Sequence, residues 1–148
     1  MELIIAIFAL AACTIFCGIG SAIGLYKTGS AASAVIGEDP KKFSKVLVLA
    51  VLPATQGIYG FVITIIGTAK IAAVAAGTAS GMALLGAILP ITVVGCISAI
   101  FQGKTSVNAI LAVAKEDSIS GKMMLFPAMV ETYAILAFVI TLMLFNAI

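Results

Sequence analysis

The sequence predicts an all-α membrane protein: four transmembrane helices from a duplicated helical hairpin, assembling into a homo-oligomeric ring. Composition is the first reason. Of 148 residues, 63% are hydrophobic and 9% charged, and mean hydropathy is +1.28. Soluble domains carry roughly half apolar and a quarter charged residues, so too little polar surface is left here to face water. The second reason is that the few charges separate long apolar windows. The third is that a shift of 77 residues lays one half of the chain on the other.

Charge-free windows cover 3–26, 46–69, 71–103 and, interrupted only by Glu131, 123–148. A spanning helix needs about 20 apolar residues at ~1.5 Å rise, so each window crosses and no soluble catalytic domain fits beside them. The first window differs from a signal peptide, because Glu2 precedes it and no Lys occurs before Lys27. It is expected to be retained. Lys41, Lys42 and Lys45 fall between the first and second spans, and Lys115 and Lys122 between the third and fourth. Lys70 alone falls between the second and third, beside the turn at Gly77-Thr78-Ala79-Ser80-Gly81. The lysine bias predicts a multi-pass cell-membrane protein whose termini and 2–3 loop face away from the cytoplasm. Lys27 and Lys104 sit inside what otherwise read as long first and third helices, and snorkelling to the cytoplasmic headgroups is their ordinary reading.

The duplication is explicit. Gly18, Ser21, Ala22, Ile23, Lys27, Thr28 and Ala32 land on Gly95, Ser98, Ala99, Ile100, Lys104, Thr105 and Ala109. Lys45 lands on Lys122, Thr55 on Thr132, and Phe61-Val62-Ile63-Thr64 on Phe138-Val139-Ile140-Thr141, while Glu38-Asp39 meets Glu116-Asp117 at a shift of 78. The expected units are residues 1–76 and 77–148. With two helices per unit the hairpins share one orientation, and parallel repeats extend side by side around an axis normal to the membrane.

The first helix of each unit carries small residues at i, i+4: Gly20, Gly24 and Thr28, then Gly95, Ala99 and Gly103. Such stripes let backbones approach closely, so the first and third spans should pack most tightly, either in a ring or in an ordinary bundle. The second and fourth carry the bulk, namely Leu47, Leu49, Phe61 and Ile65, then Leu136, Phe138, Leu142 and Phe145. In a ring the small-faced pair lines the inside.

Several function classes are excluded. A net charge of +2 gives no nucleic-acid surface. The absence of His removes the usual zinc and His-dependent hydrolase sites. Gly103-Lys104-Thr105 imitates the end of a phosphate-binding loop, but the first Gly of that motif falls on Ser98 and no strand precedes it. Cys13, Cys17 and Cys96 lie within spans and read as small packing residues. No enzyme active site is expected.

Glu131 is the one acidic residue inside a span, about 14 Å along the helix from Lys122. An acidic side chain near mid-bilayer costs a few kcal/mol, so it is read as functional and must be neutralised. Its repeat counterpart is Ala54. Other oxygen donors fall at similar depth: Thr55 and Gln56 about 16 Å past Lys45, and Gln102 about 20 Å before Lys115. A hard cation stripped of water needs several oxygens around one balancing carboxylate. Pro53 removes the hydrogen bond to the Leu49 carbonyl and loosens the turn at Leu52, freeing backbone oxygen near the same level. Tyr59, one turn beyond Thr55, can bond Glu131 through its hydroxyl. Taken singly, Thr55 can back-bond to its own helix, and Gln56 and Gln102 can make plain interhelical bonds.

The strings Gly-Ile-Gly-Ser-Ala-Ile-Gly at 18–24, Leu-Pro-Ala-Thr-Gln-Gly-Ile-Tyr-Gly-Phe at 52–61, Gln-Gly-Lys at 102–104 and Met-Val-Glu-Thr-Tyr-Ala-Ile-Leu-Ala-Phe-Val-Ile at 129–140 carry a resemblance over nearly the whole chain. It resembles the duplicated c or K proteolipid of V-type rotary ATPases, the four-helix component of the membrane rotor ring. The resemblance implies that Glu131 is the ion-carrying carboxylate. As in sodium-transporting members, it implies that the Leu52 carbonyl, Thr55, Gln56, Gln102 and Glu131 coordinate Na+ while Tyr59 holds Glu131. Proton-type members typically lack the Thr-Gln pair and the Gln of the third span, so H+ is the alternative cargo. Implied partners are copies of the chain itself, a stator membrane subunit bearing an Arg, central-stalk subunits and membrane lipid. A structural or channel-forming four-helix oligomer and a proton-coupled antiporter are the rival readings of Glu131.

Overall fold

A computed structural model describes all residues, 1–148, and contains helices and no strand. The first span is one helix, α1 (Glu2–Glu38). The second comprises a 3-10 turn at Pro40–Lys42, α2 (Phe43–Val51), a 3-10 turn at Leu52–Ala54 and α3 (Thr55–Ala75). The third is α4 (Gly81–Lys115). The fourth comprises a 3-10 turn at Asp117–Ile119, α5 (Ser120–Met123) and α6 (Leu125–Phe145). All four spans are long and apolar enough to cross a membrane.

The helices outrun the charge-free windows. α1 has 37 residues and α4 has 35, more than 50 Å each at ~1.5 Å per residue, against about 30 Å of hydrocarbon. Lys27 and Lys104 thus lie within unbroken helix. Lys70 lies inside α3 and Lys45 inside α2, not in the connections where the windows place them. The reason is that hydropathy marks what tolerates lipid, whereas a helix continues until its backbone bonding is broken. Asp39 with Pro40, and Glu116, supply those breaks with extended backbone at the helix ends. At the second break, the Ser118 hydroxyl and then its backbone N–H hold the Glu116 carboxyl below the usual carboxylate range.

α1 and α4 run parallel at the centre, as their small residues demand. A Cβ on Gly20 would lie 2.5 Å from the Cys96 carbonyl oxygen, one on Gly24 2.7 Å from that of Ala99, and one on Gly103 2.6 Å from the Gly24 Cα. Only glycine permits this approach. The outer spans hold two apolar clusters against the central pair. One contains Leu10, Cys17, Ile63, Leu84 and Ile88; the other, at the lysine-rich end, contains Val35, Val46, Leu49, Ile110 and Val113. Leu49 and Phe145, expected among the outer bulk, are buried, whereas Phe61, Ile65 and Leu136 are exposed. Apolar residues surround each outer helix, so sequence alone does not fix which face turns inward.

Both hairpin tips sit at the same end. Lys42 Nζ donates to the Ala114 carbonyl, one of the last carbonyls of α4, which have no partner within the helix. Lys45 Nζ contacts Asp117 Oδ2 at 2.8 Å. At the opposite end Glu2 accepts from Ser80 Oγ at 2.8 Å and from the Met82 N–H at 3.2 Å. Its carboxylate thereby caps the positive end of α4. Between the two apolar clusters lies a polar layer at the level of Ser21, Gln56, Ser98 and Gln102.

Candidate ion site

Pro53 makes the local structure on which the site is built. Lacking an N–H, it tightens Leu52–Ala54 into a 3-10 turn. The Leu52 carbonyl then accepts the Thr55 N–H, and the Thr55 hydroxyl lies 3.0 Å from the same oxygen. The Leu52 carbonyl therefore accepts from both groups here, and Thr55 does make the back-bond to its own helix. Its hydroxyl also lies 3.2 Å from Gln56 Oε1.

Gln56 and Gln102 are fully buried and face each other across the α3–α4 contact. Gln56 Nε2 donates to Gln102 Oε1 at 2.7 Å, and Gln102 Nε2 donates to Glu131 Oε2 at 3.1 Å. The second carboxylate oxygen, Oε1, accepts the Tyr59 hydroxyl at 2.8 Å. Tyr59 packs against Phe138 with ring centroids 5.3 Å apart, which fixes the phenol over the carboxylate. Leu52, Thr55, Gln56, Gln102, Glu131 and Tyr59 thus meet in one hydrogen-bonded chain across three spans, although they span 80 positions of sequence from Leu52 to Glu131.

Two further groups join that chain beyond those the sequence predicts. Ser98 Oγ donates to the Val130 carbonyl at 3.0 Å and lies 3.4 Å from Gln56 Nε2. The Pro127 carbonyl accepts from Gln102 Nε2 at 3.2 Å. A signal for Ser98 exists in the sequence: it precedes Gln102 by four residues, on the same helical face, and is repeated as Ser21. Nothing in the sequence marks the Pro127 carbonyl.

Gln102 and Glu131 share one level, so counting from Lys115 overstates how far Gln102 lies from the lysine-rich end relative to its partner. Lys104, two residues on, is exposed and holds its Nζ 5.0 Å over the Phe101 ring. No ammonium group stands within 4.0 Å of Glu131; both ion pairs of the chain are made by Asp117. A half-buried carboxylate bonded to a phenol and an amide, with no protein cation beside it, is chemically suited to a cation from solution, which would supply the missing charge.

Two parallel membrane hairpins with a half-buried carboxylate at the contact between them have the architecture of a rotary-ATPase type of proteolipid. The chain belongs to the ATP synthase C-subunit family, whose sequence model matches it twice, at residues 8–67 and 64–144. It is 44% identical over 142 residues to the V-type sodium ATPase subunit K of Enterococcus hirae, covering 96% of this chain and 90% of that protein. It is 38% identical over 133 residues to the A-type ATP synthase subunit K of Methanocaldococcus jannaschii, covering 86% of this chain and 55% of that longer protein.

Proposed function

We propose that this chain is the rotor-ring subunit of a V-type ATPase and carries Na+ across the membrane by reversible binding at Glu131. One observation carries the proposal. The only carboxylate away from the ends of the spans is tied at both oxygens, and the oxygens of Gln102, Gln56, Thr55 and Leu52 line up behind it. The likeness to a V-type sodium ATPase subunit supports Na+ as cargo. The ligands are the Leu52 carbonyl, Thr55, Gln56, Gln102 and Glu131; Tyr59 positions the carboxylate. The repeat units are 1–76 and 77–148, and neither holds an ATP site.

The mechanism follows from the cost of charge in lipid. With Na+ bound the site is close to neutral and turns past the acyl chains; emptied, it is an anion held where the stator supplies an Arg. Copies of the chain form the ring, the central-stalk subunits turn it as ATP is hydrolysed elsewhere, and lipid surrounds it. Each charge moved against 100 mV costs about 2.3 kcal/mol, so one carboxylate per four helices, with fewer ions per turn, favours a steeper gradient for the same ATP hydrolysed. The lysine-rich tips face the cytoplasm, and the termini and the 75–81 turn face the other side.

Carbodiimide labelling tests the assignment. Glu131 should be modified readily, and millimolar Na+ should slow the modification. Labelling that ignores Na+ but follows acidification would replace Na+ with H+ as the cargo.

A further inference from the structure

The second span breaks at Pro53, and each end of the break is bonded to α1. α2 ends at Val51, so its last carbonyls have no partner within the helix. One of them, on Ala50, accepts from the Thr28 hydroxyl at 2.6 Å. α3 begins at Thr55 behind Ala54, which has no side-chain oxygen to cap the first N–H groups. One of those, on Gly57, donates to Ser21 Oγ at 2.7 Å. Both hydroxyl residues are buried. The spacing matches on the two sides: Ser21 and Thr28 stand at i, i+7 on one face of α1, and Ala50 and Gly57 stand at i, i+7 on the span that runs against it. Between the two bonds Gly24 receives the Pro53 ring, where a Cβ would lie 2.6 Å from the Pro53 Cβ. Hydroxyl, glycine and hydroxyl on α1 thus meet helix start, proline and helix end on its neighbour. The second hairpin has the hydroxyls without the break. Ser98 and Thr105 are the counterparts of Ser21 and Thr28, and Met129, Val130 and Glu131 are those of the Leu52–Ala54 turn. α6 runs unbroken through those three residues. Thr105 bonds back to Phe101 of its own helix at 3.0 Å, and Ser98 donates to a carbonyl instead of accepting an N–H.

We propose that Ser21 and Thr28 are positioning residues for the ion site: they clamp the two ends of the Leu52–Ala54 turn and so hold the Leu52 carbonyl and the Thr55 hydroxyl at the level of Gln102 and Glu131. This rests on the Na+ reading above and adds a role for α1, which supplies none of the ligands. Neither hydroxyl touches the ion. Thr28 acts on Ala50, just before Leu52, and Ser21 acts on Gly57, just after Thr55 and Gln56. A buried carbonyl or N–H left without a partner is costly, so with either hydroxyl removed the turn shifts to regain one and carries the Leu52 oxygen with it.

Carbodiimide labelling of Glu131 in purified rings of the full chain reads the clamp as the Na+ concentration that halves the labelling rate. Thr28→Val keeps the side-chain shape and removes the hydroxyl, so that concentration should rise roughly three- to tenfold, the worth of one hydrogen bond, while the rate without Na+ stays as in wild type. Ser21→Ala, which removes a single oxygen, should act in the same direction and carries the test if Thr28→Val does not assemble. Thr28→Ser restores the donor and should return to within about twofold of wild type. Thr105→Val, at the repeat counterpart, should leave Na+ protection unchanged. Rings of Thr28→Val and Ser21→Ala that melt earlier but keep wild-type protection by Na+ overturn the clamp and leave the two hydroxyls to hold helices together. Wild-type labelling that ignores Na+ overturns the ion reading on which the clamp rests.

Discussion

The two hairpins descend from one pattern but contribute different halves of the site. The first supplies the Pro53 break with Leu52, Thr55, Gln56 and Tyr59; the second supplies Gln102 and Glu131. Glu131 corresponds to Ala54 in the first hairpin, and Gln56 to Tyr133 in the second. Each half lacks what the other carries. The polar layer is therefore complete only where the first hairpin faces the second within one chain. Under the proposed reading, the difference places ion specificity at the contact between repeats, not in either repeat alone.

The sharpest way to break the contrast is to neutralise the carboxylate that only the second hairpin carries. Glu131→Gln removes a unit charge from the proposed ligand set. At an effective dielectric constant near 20 and 4 Å, that is worth about 4 kcal/mol, roughly a thousandfold in affinity. Sodium-dependent ATP hydrolysis and sodium uptake into vesicles should fall to background. Retention of sodium transport would remove Glu131 from the mechanism.

Gln102→Leu makes the same hairpin like the first at its second polar position, Leu25. It leaves Gln56 Nε2 without its 2.7 Å partner and Glu131 Oε2 without its donor. Each bond to a charged group contributes about 1.5–3 kcal/mol, so the sodium affinity read from protection against carbodiimide should drop by roughly 10–100-fold. Tyr59→Phe is milder. The ring and its packing on Phe138 stay, and a single bond to Glu131 is lost. The expected weakening is about tenfold, with the maximal turnover rate largely retained. Equal affinity in wild type and Tyr59→Phe would show that Tyr59 does not position the carboxylate.

How much of this is legible in sequence depends on what each signal measures. The spans, the duplication and the Gly20, Gly24 and Gly103 approach follow from composition and spacing, because lipid and close packing each impose a residue type. The neighbours of Glu131 follow from chemistry: counting one turn from Thr55 puts Tyr59 beside it, and the hydroxyl lies there at 2.8 Å. Helix ends are misjudged at Lys45 and Lys70 because hydropathy reports the solvent and not the backbone. Ser98 is visible as a repeated residue but has no partner in sequence, since which face of α4 meets Gln56 is settled only by packing. The Pro127 carbonyl carries no side-chain signal at all.

The smallest expected effect discriminates best between a lone carboxylate and a built site. Ala54→Glu restores a carboxylate to the first hairpin at the level where the second has Glu131, but Leu25 and Tyr133 still stand in place of the two glutamines. If neutral oxygens select the ion, a carboxylate at position 54 labels with carbodiimide at a rate that Na+ does not change, while protection of Glu131 stays within about twofold of wild type. A cation stripped of water needs several oxygens besides the one that balances its charge. Sodium protection at position 54 would mean that a carboxylate between helices is sufficient, and that Gln56 and Gln102 serve only to hold the helices together.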